Sequence, residues 1–267
     1  MVWIPEGSPI SKLWDNTYIL TAGQSVGAGS EISLSLSQAG RNLKLRDSFE
    51  DVAPSAGGGI TSLIPLTAPM RSPAFYGNYS AMYPNNITGE TPEIAMANQL
   101  AVLRNWKIIA GNVAEAGHGI DYISLGGSAI ADSVGEYGNA YAKTLWEVTE
   151  VKKLTDALHE SFGVLAVLFV HGEADVQSST YEAKVLKLWN DYNTAIKLIT
   201  GQQRDIIMIL SVQASCPPTT GVRPKSTEAC YNLAKLYPKK FIAVPKYHFI
   251  YRDESPYYFG LHLTPPS

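Results

Sequence analysis

Two periodicities alternate along the second half of the chain. The run VLAVLFV, Val164–Val170, is continuously apolar, the mark of a strand buried on both faces as in a parallel sheet. DIIMILSV, Asp205–Val212, repeats that pattern, and a shorter strand is expected at Phe241–Val244. Between them lie stretches at helical spacing. Asn139–Ser161 carries Leu145, Val148, Val151, Leu154 and Leu158, with Gly163 read as its stop. Ser179–Thr200 carries Val185, Leu188, Trp189, Tyr192, Ile196 and Ile199, and a shorter helix is expected over Ser226–Leu236. The first half opens on an apolar run, Tyr18–Ala22, broken at Gly23. A helix is expected over Thr91–Trp106, with Thr91, Pro92 and Glu93 as its start signal, and strands at Lys107–Ala110 and Tyr122–Leu125. This alternation predicts an α/β fold, a three-layer doubly wound parallel sheet. Over about residues 31–90 the pattern dissolves into Gly, Pro, Ser, Asn and Tyr. The tyrosines argue against disorder, so this stretch is read as an ordered, loop-rich insertion over the sheet edge of a single domain spanning 1–267.

Composition narrows the function classes. Of the 267 residues 45% are hydrophobic and 17% charged, enough for one large core without a covalent staple. The 21 basic residues are scattered and the net charge is -3, so neither nucleic acid nor an anionic membrane is an expected partner. Cys216 and Cys230 lie in one loop-to-helix region, open to a local disulfide or to two buried thiols, and have no neighbouring pair that would make a zinc site. The N-terminus lacks the basic start and apolar core of a signal peptide, and no apolar run approaches the roughly 18 residues of a membrane helix. A soluble protein is expected, with no membrane insertion. Its compartment is not legible, and the aromatic insertion leaves room for a homo-oligomer.

In an open α/β sheet, ligands bind beyond the carboxyl ends of the strands. The residues just past each expected strand are therefore the place to look for chemistry. Gly23-Gln24-Ser25 comes after the first strand. GGSAIAD, Gly126–Asp132, comes after Tyr122–Leu125, and HGEAD, His171–Asp175, after Val164–Val170. YYFGLHLT, with His262, lies near the end. A serine between small residues at a strand end is a turn or a nucleophile; the polar, glycine-rich company on one rim favours the nucleophile. His171 reads equally well as a structural histidine. Asp175 and Asp132 read as caps or turn residues, Asp175 at the start of the next helix. His118 reads as a loop histidine that could line the pocket.

Taken together, GQS, GGSAI, GEAD and HLT, in that order across almost the whole chain, resemble the SGNH (GDSL-like) hydrolases. Among these they are most similar to the carbohydrate acetylesterases of the sialate O-acetylesterase and acetylxylan-esterase type, a group that also includes phage tailspike deacetylases. The resemblance implies the flavodoxin-like SGNH fold and a serine esterase acting on an acetylated carbohydrate, with no cofactor and no metal. It places extracellular or virion-associated action within reach. Ser25 would be the nucleophile and His262 its base. Ser25, Gly126 or Gly127 and His171 would form the oxyanion hole, and Gln24 and His118 would contact substrate. HLTPPS ends five residues beyond His262, so a piece of a longer protein is one expectation.

Two positions depart from the family pattern. His171 stands where Gln or Asn is usual, and a neutral imidazole can still donate one N–H. Phe259 stands three residues before His262, where the family carries the Asp that orients its histidine. Glu173, Asp175, Asp253 and Glu254 could substitute, and Glu173 is favoured because its block already lies on the rim. Two rival readings remain: a carbohydrate-binding module with a degraded esterase site, and a short-chain lipase- or thioesterase-like hydrolase. The small residues around GGSA speak against a long acyl groove.

Overall fold

The computed structural model describes residues 12–24, 27, 41–45, 62–67, 70, 91–115, 117–127, 139–212 and 224–245. Its sheet is built from β1 (Asn16–Gly23), β2 (Leu43–Leu45), β3 (Leu63–Pro65), β4 (Ile108–Asn112), β5 (Phe162–Val170), β6 (Ile207–Val212) and β7 (Phe241–Pro245). The spatial order is β3-β2-β4-β1-β5-β6-β7, and every pairing is parallel except β2 with β3. The helices are α1 (Pro92–Arg104), α2 (Ile120–Ile123), α3 (Ala140–Ala157), α4 (Tyr181–Thr200) and α5 (Lys225–Leu236).

The central strands are buried on both faces because helices cover both. Along β1, Tyr18, Leu20 and Ala22 enter the core beneath α3, α4 and α5, while Ile19 enters a second core with Ile94 and Ala97 of α1. The stripe read along α4 is the one it buries: Val185, Leu188, Trp189, Tyr192 and Ile196. Each such aliphatic side chain contributes about 1.5–3 kcal/mol on leaving water. No described helix is long and apolar enough to cross a membrane.

The structure corrects four readings. Tyr122–Leu125 is not a strand. Ile120 and Ile123, one helical turn apart, are both buried; Tyr122 and Ile123 close the short helix α2, and Ser124 and Leu125 turn away beyond it. Gly163 does not end α3, which stops at Ala157 and turns through His159 at φ 56°. Gly163 lies inside β5 against the Trp14 indole, where a Cβ would sit 2.2 Å from the ring. The face of α3 is more polar than its leucines suggested: Lys143, Thr144, Glu147 and Thr155 are buried with Val148 and Val151, while Leu158 is exposed. Lys143 pairs with Glu115, and Glu147 accepts from the Tyr18 hydroxyl. Finally, the stretch read as pure insertion contributes β2 and β3, which lengthen the sheet beyond β4.

Candidate active site

The chain leaves β1 toward β4 on one side, with α1 over one face. It then crosses to β5 on the other side of β1, with α3 over the opposite face. The carboxyl end of β1 is thus the switch point at which open α/β sheets open a crevice. Gly23 ends the strand at φ 133°, and a Cβ there would lie 2.0 Å from the Val170 carbonyl oxygen. Only glycine fits so close to β5 in that conformation.

Gln24 comes next and is almost fully buried. Its N–H donates to the Val170 carbonyl at 2.8 Å. Its side-chain oxygen accepts from the N–H groups of Gly172 at 3.0 Å and Glu173 at 3.1 Å. Gln24, expected as a substrate contact, clamps the β1 end to the loop after β5 through its side-chain carbonyl. Ser25, the next residue, lies outside the described residues, as do His262, Phe259, Asp132, Asp253, Glu254 and Cys216.

His171 sits at the floor of the same loop, buried to 1% exposure. Nε2 lies 3.0 Å from the His118 carbonyl oxygen, which can only accept, so Nε2 carries the proton. Nδ1 then accepts from the Tyr181 hydroxyl at 2.9 Å. Burial pushes the imidazole down to about 4, so it is neutral at physiological pH. The N–H expected to serve an oxyanion is held internally, and such a role would require breaking the bond to His118.

His118 is partly exposed, and its ring stacks on Tyr122 with centroids 3.8 Å apart. Asp175 does not cap its own helix: its carboxylate receives the Ile120 N–H at 2.8 Å and so caps α2, while burial pushes its pKa up. Gly126 lies exposed in a left-handed turn (φ 80°) after α2. The N–H of Gly127 donates to Ser124 at 2.9 Å, within the same connection. Glu173 is partly buried beside the clamp; burial raises the pKa of Tyr181 on α4 and Cys230 on α5, and the nearby Glu173 adds to both shifts. Cys230 is a buried free thiol, pushed up to about 12 by burial, which makes it inert as a nucleophile. No cluster of three or more His, Cys, Asp or Glu that could hold a metal occurs among the described residues.

The structure therefore gathers Gln24, His118, His171, Glu173 and Asp175 on one rim and places Gly126 and Gly127 beyond α2. It also shows a buried group that the sequence did not mark. Glu93, fully buried in the first turn of α1, accepts from Thr21 at 2.5 Å, from Thr91 and from Asn112. An acidic residue after Pro92 reads as an ordinary helix-start residue, so nothing in the sequence distinguished it.

These features define a doubly wound α/β protein whose candidate site lies at the end of its central strand. No family model and no curated protein matches the chain. Solved structures do. An Arabidopsis thaliana protein superposes with a TM-score of 0.61 at 16% identity, over 94% of this chain and 91% of that one. NanS superposes at 0.54 and 17%, over 88% of this chain and 79% of NanS. A carbohydrate acetylesterase from Xanthomonas citri reaches 0.48 at 11%, over 85% of this chain and 49% of its own, too loose a likeness to bear on function. The first two establish a shared fold.

Proposed function

We propose that the protein is a serine esterase that removes O-acetyl groups from a carbohydrate. One observation carries the reading: the residue before Ser25 is pinned at the switch point by three hydrogen bonds, one to the end of β5 and two to the loop that bears Glu173. A nucleophile there needs a fixed backbone, because misplacement by about 1 Å can cost a hundredfold in rate. The four blocks GQS, GGSAI, GEAD and HLT supply the chemical identity. Ser25 Oγ attacks the acetyl carbonyl as His262 takes its proton. The tetrahedral oxyanion is held by backbone N–H groups, for which Ser25 and Gly126 are the candidates, since His171 and Gly127 hold theirs internally. Collapse expels the sugar oxygen, which regains the proton from His262, and water then releases acetate from the acetyl-serine. Glu173 is the proposed partner that orients His262.

A series of acetyl, butyryl and octanoyl esters at matched concentration tests this reading. Acetyl is expected to be hydrolysed fastest. A preference for octanoyl would overturn it in favour of a lipase-like enzyme.

A further inference from the structure

Two described residues flank Ser25 most closely, Gln24 before it and Gly27 after it, and each is held by a different part of the fold. Gln24 is tied to β5 and its loop. Gly27 is tied to the other side. Its carbonyl oxygen receives the Asn112 side-chain N–H at 2.7 Å. A Cβ at Gly27 would stand 3.1–3.2 Å from the Gln24 carbonyl, Val170 and Ala114, so the residue is closely seated.

Asn112 ends β4, and every polar atom of its amide has a partner. Nδ2 donates to the Gly27 carbonyl and, at 3.1 Å, to Glu93, while Oδ1 accepts the Ala114 N–H at 3.0 Å. Flipping the amide would turn its oxygen onto the Gly27 carbonyl and the Glu93 carboxylate, and its NH2 onto a donor. The Gly27 carbonyl, the Ala114 N–H and Glu93 together fix which way Asn112 points. Glu93 is itself fixed by the hydroxyls of Thr21, on β1, and Thr91, at the start of α1.

Thr21, Glu93 and Asn112 are all 0% exposed. A wholly buried carboxyl is costly, and replacing a whole buried charged network, partners included, by apolar groups is often neutral or stabilising. Burial raises the Glu93 pKa to about 7, against the pull of the donors around it. Such a group is poorly explained by stability alone. It is well explained by the orientation it imposes.

We propose that Glu93 is a positioning residue for Gly27, two residues beyond Ser25 in the sequence: it helps to orient Asn112, which holds the Gly27 carbonyl. This rests on the esterase reading for its catalytic consequence but not for its structural one. The two can be tested apart.

Three variants serve: Glu93→Gln, Glu93→Leu and Asn112→Ala. Each is measured for kcat and KM on p-nitrophenyl acetate, for thermal melting, and for hydrogen–deuterium exchange of the peptide covering 21–30. Glu93→Gln keeps an acceptor for Asn112 and is expected to retain activity within about threefold. Glu93→Leu and Asn112→Ala are expected to fold, to lose about thirtyfold or more in kcat with KM changed less than threefold, and to speed exchange in 21–30 while α4 and β5 stay protected. Unchanged exchange in 21–30 in both variants would overturn the proposal. So would failure of both to fold, which would make the network purely structural. If the wild type does not hydrolyse the ester, the proposed function fails and the exchange result alone decides the role of Glu93.

Discussion

Ser25→Ala is expected to lower hydrolysis of p-nitrophenyl acetate by several orders of magnitude, on the order of 10³-fold or more, with the melting temperature unchanged. The size of the loss comes from the chemistry. Without Oγ no acyl-enzyme forms, and what remains is the smaller acceleration from an oxyanion hole and substrate binding. The clamps on either side run through other groups: Gln24 is held through its own amide and side chain, and Gly27 through its carbonyl. The fold should therefore survive. A variant that keeps more than about a tenth of the rate would show that the nucleophile lies elsewhere.

The second large effect concerns the acid that orients His262. Phe259 cannot accept an imidazole N–H. Glu173 is the carboxylate that Gln24 ties to the end of β1, through the Glu173 N–H. Glu173→Gln is expected to cut kcat/KM a hundredfold or more, about 3 kcal/mol of transition-state stabilisation. On the same account Phe259→Asp gains nothing, because the role is already filled. If Glu173→Gln is fully active and Phe259→Asp raises the rate, the site works as a Ser–His dyad and Glu173 has no catalytic part. Both variants belong on one acetyl ester, with melting curves to confirm folding.

The parts of the fold that sequence pattern reached were those with long, unambiguous periods. Val164–Val170 and Asp205–Val212 read as doubly buried strands because both faces of the sheet are covered, and the structure places them as β5 and β6. Tyr122–Leu125 misled because four apolar-rich residues fit a strand as well as one helical turn; only the burial of Ile120 with Ile123 separates the two. The strands β2 and β3 are three residues each, and β2 has a buried lysine at its centre, so no alternation could announce them. At the site, the rim position of the HGEAD block was legible from the strand before it. The jobs of its residues were not. Gln24 meets Gly172, Asp175 meets Ile120 and Asn112 meets Gly27 across large separations in sequence. His171 was the most instructive of these. A histidine after a strand reads equally well as an oxyanion donor or a structural residue, and the partners that hold its ring, Tyr181 and the His118 carbonyl, lie 10 and 53 residues away in sequence.

The central claim is that Ser25 is an activated nucleophile. A fluorophosphonate reacts only with a serine whose proton has a base to go to, and it forms a stable adduct whose position peptide mass analysis reads directly. Incubating the wild-type protein with the reagent is expected to give one stoichiometric adduct, carried by the peptide containing Ser25, and none in His262→Ala. An unlabelled wild-type protein, or an adduct on any other residue, would contradict the account, and the first of these outcomes would favour the reading as a carbohydrate-binding module.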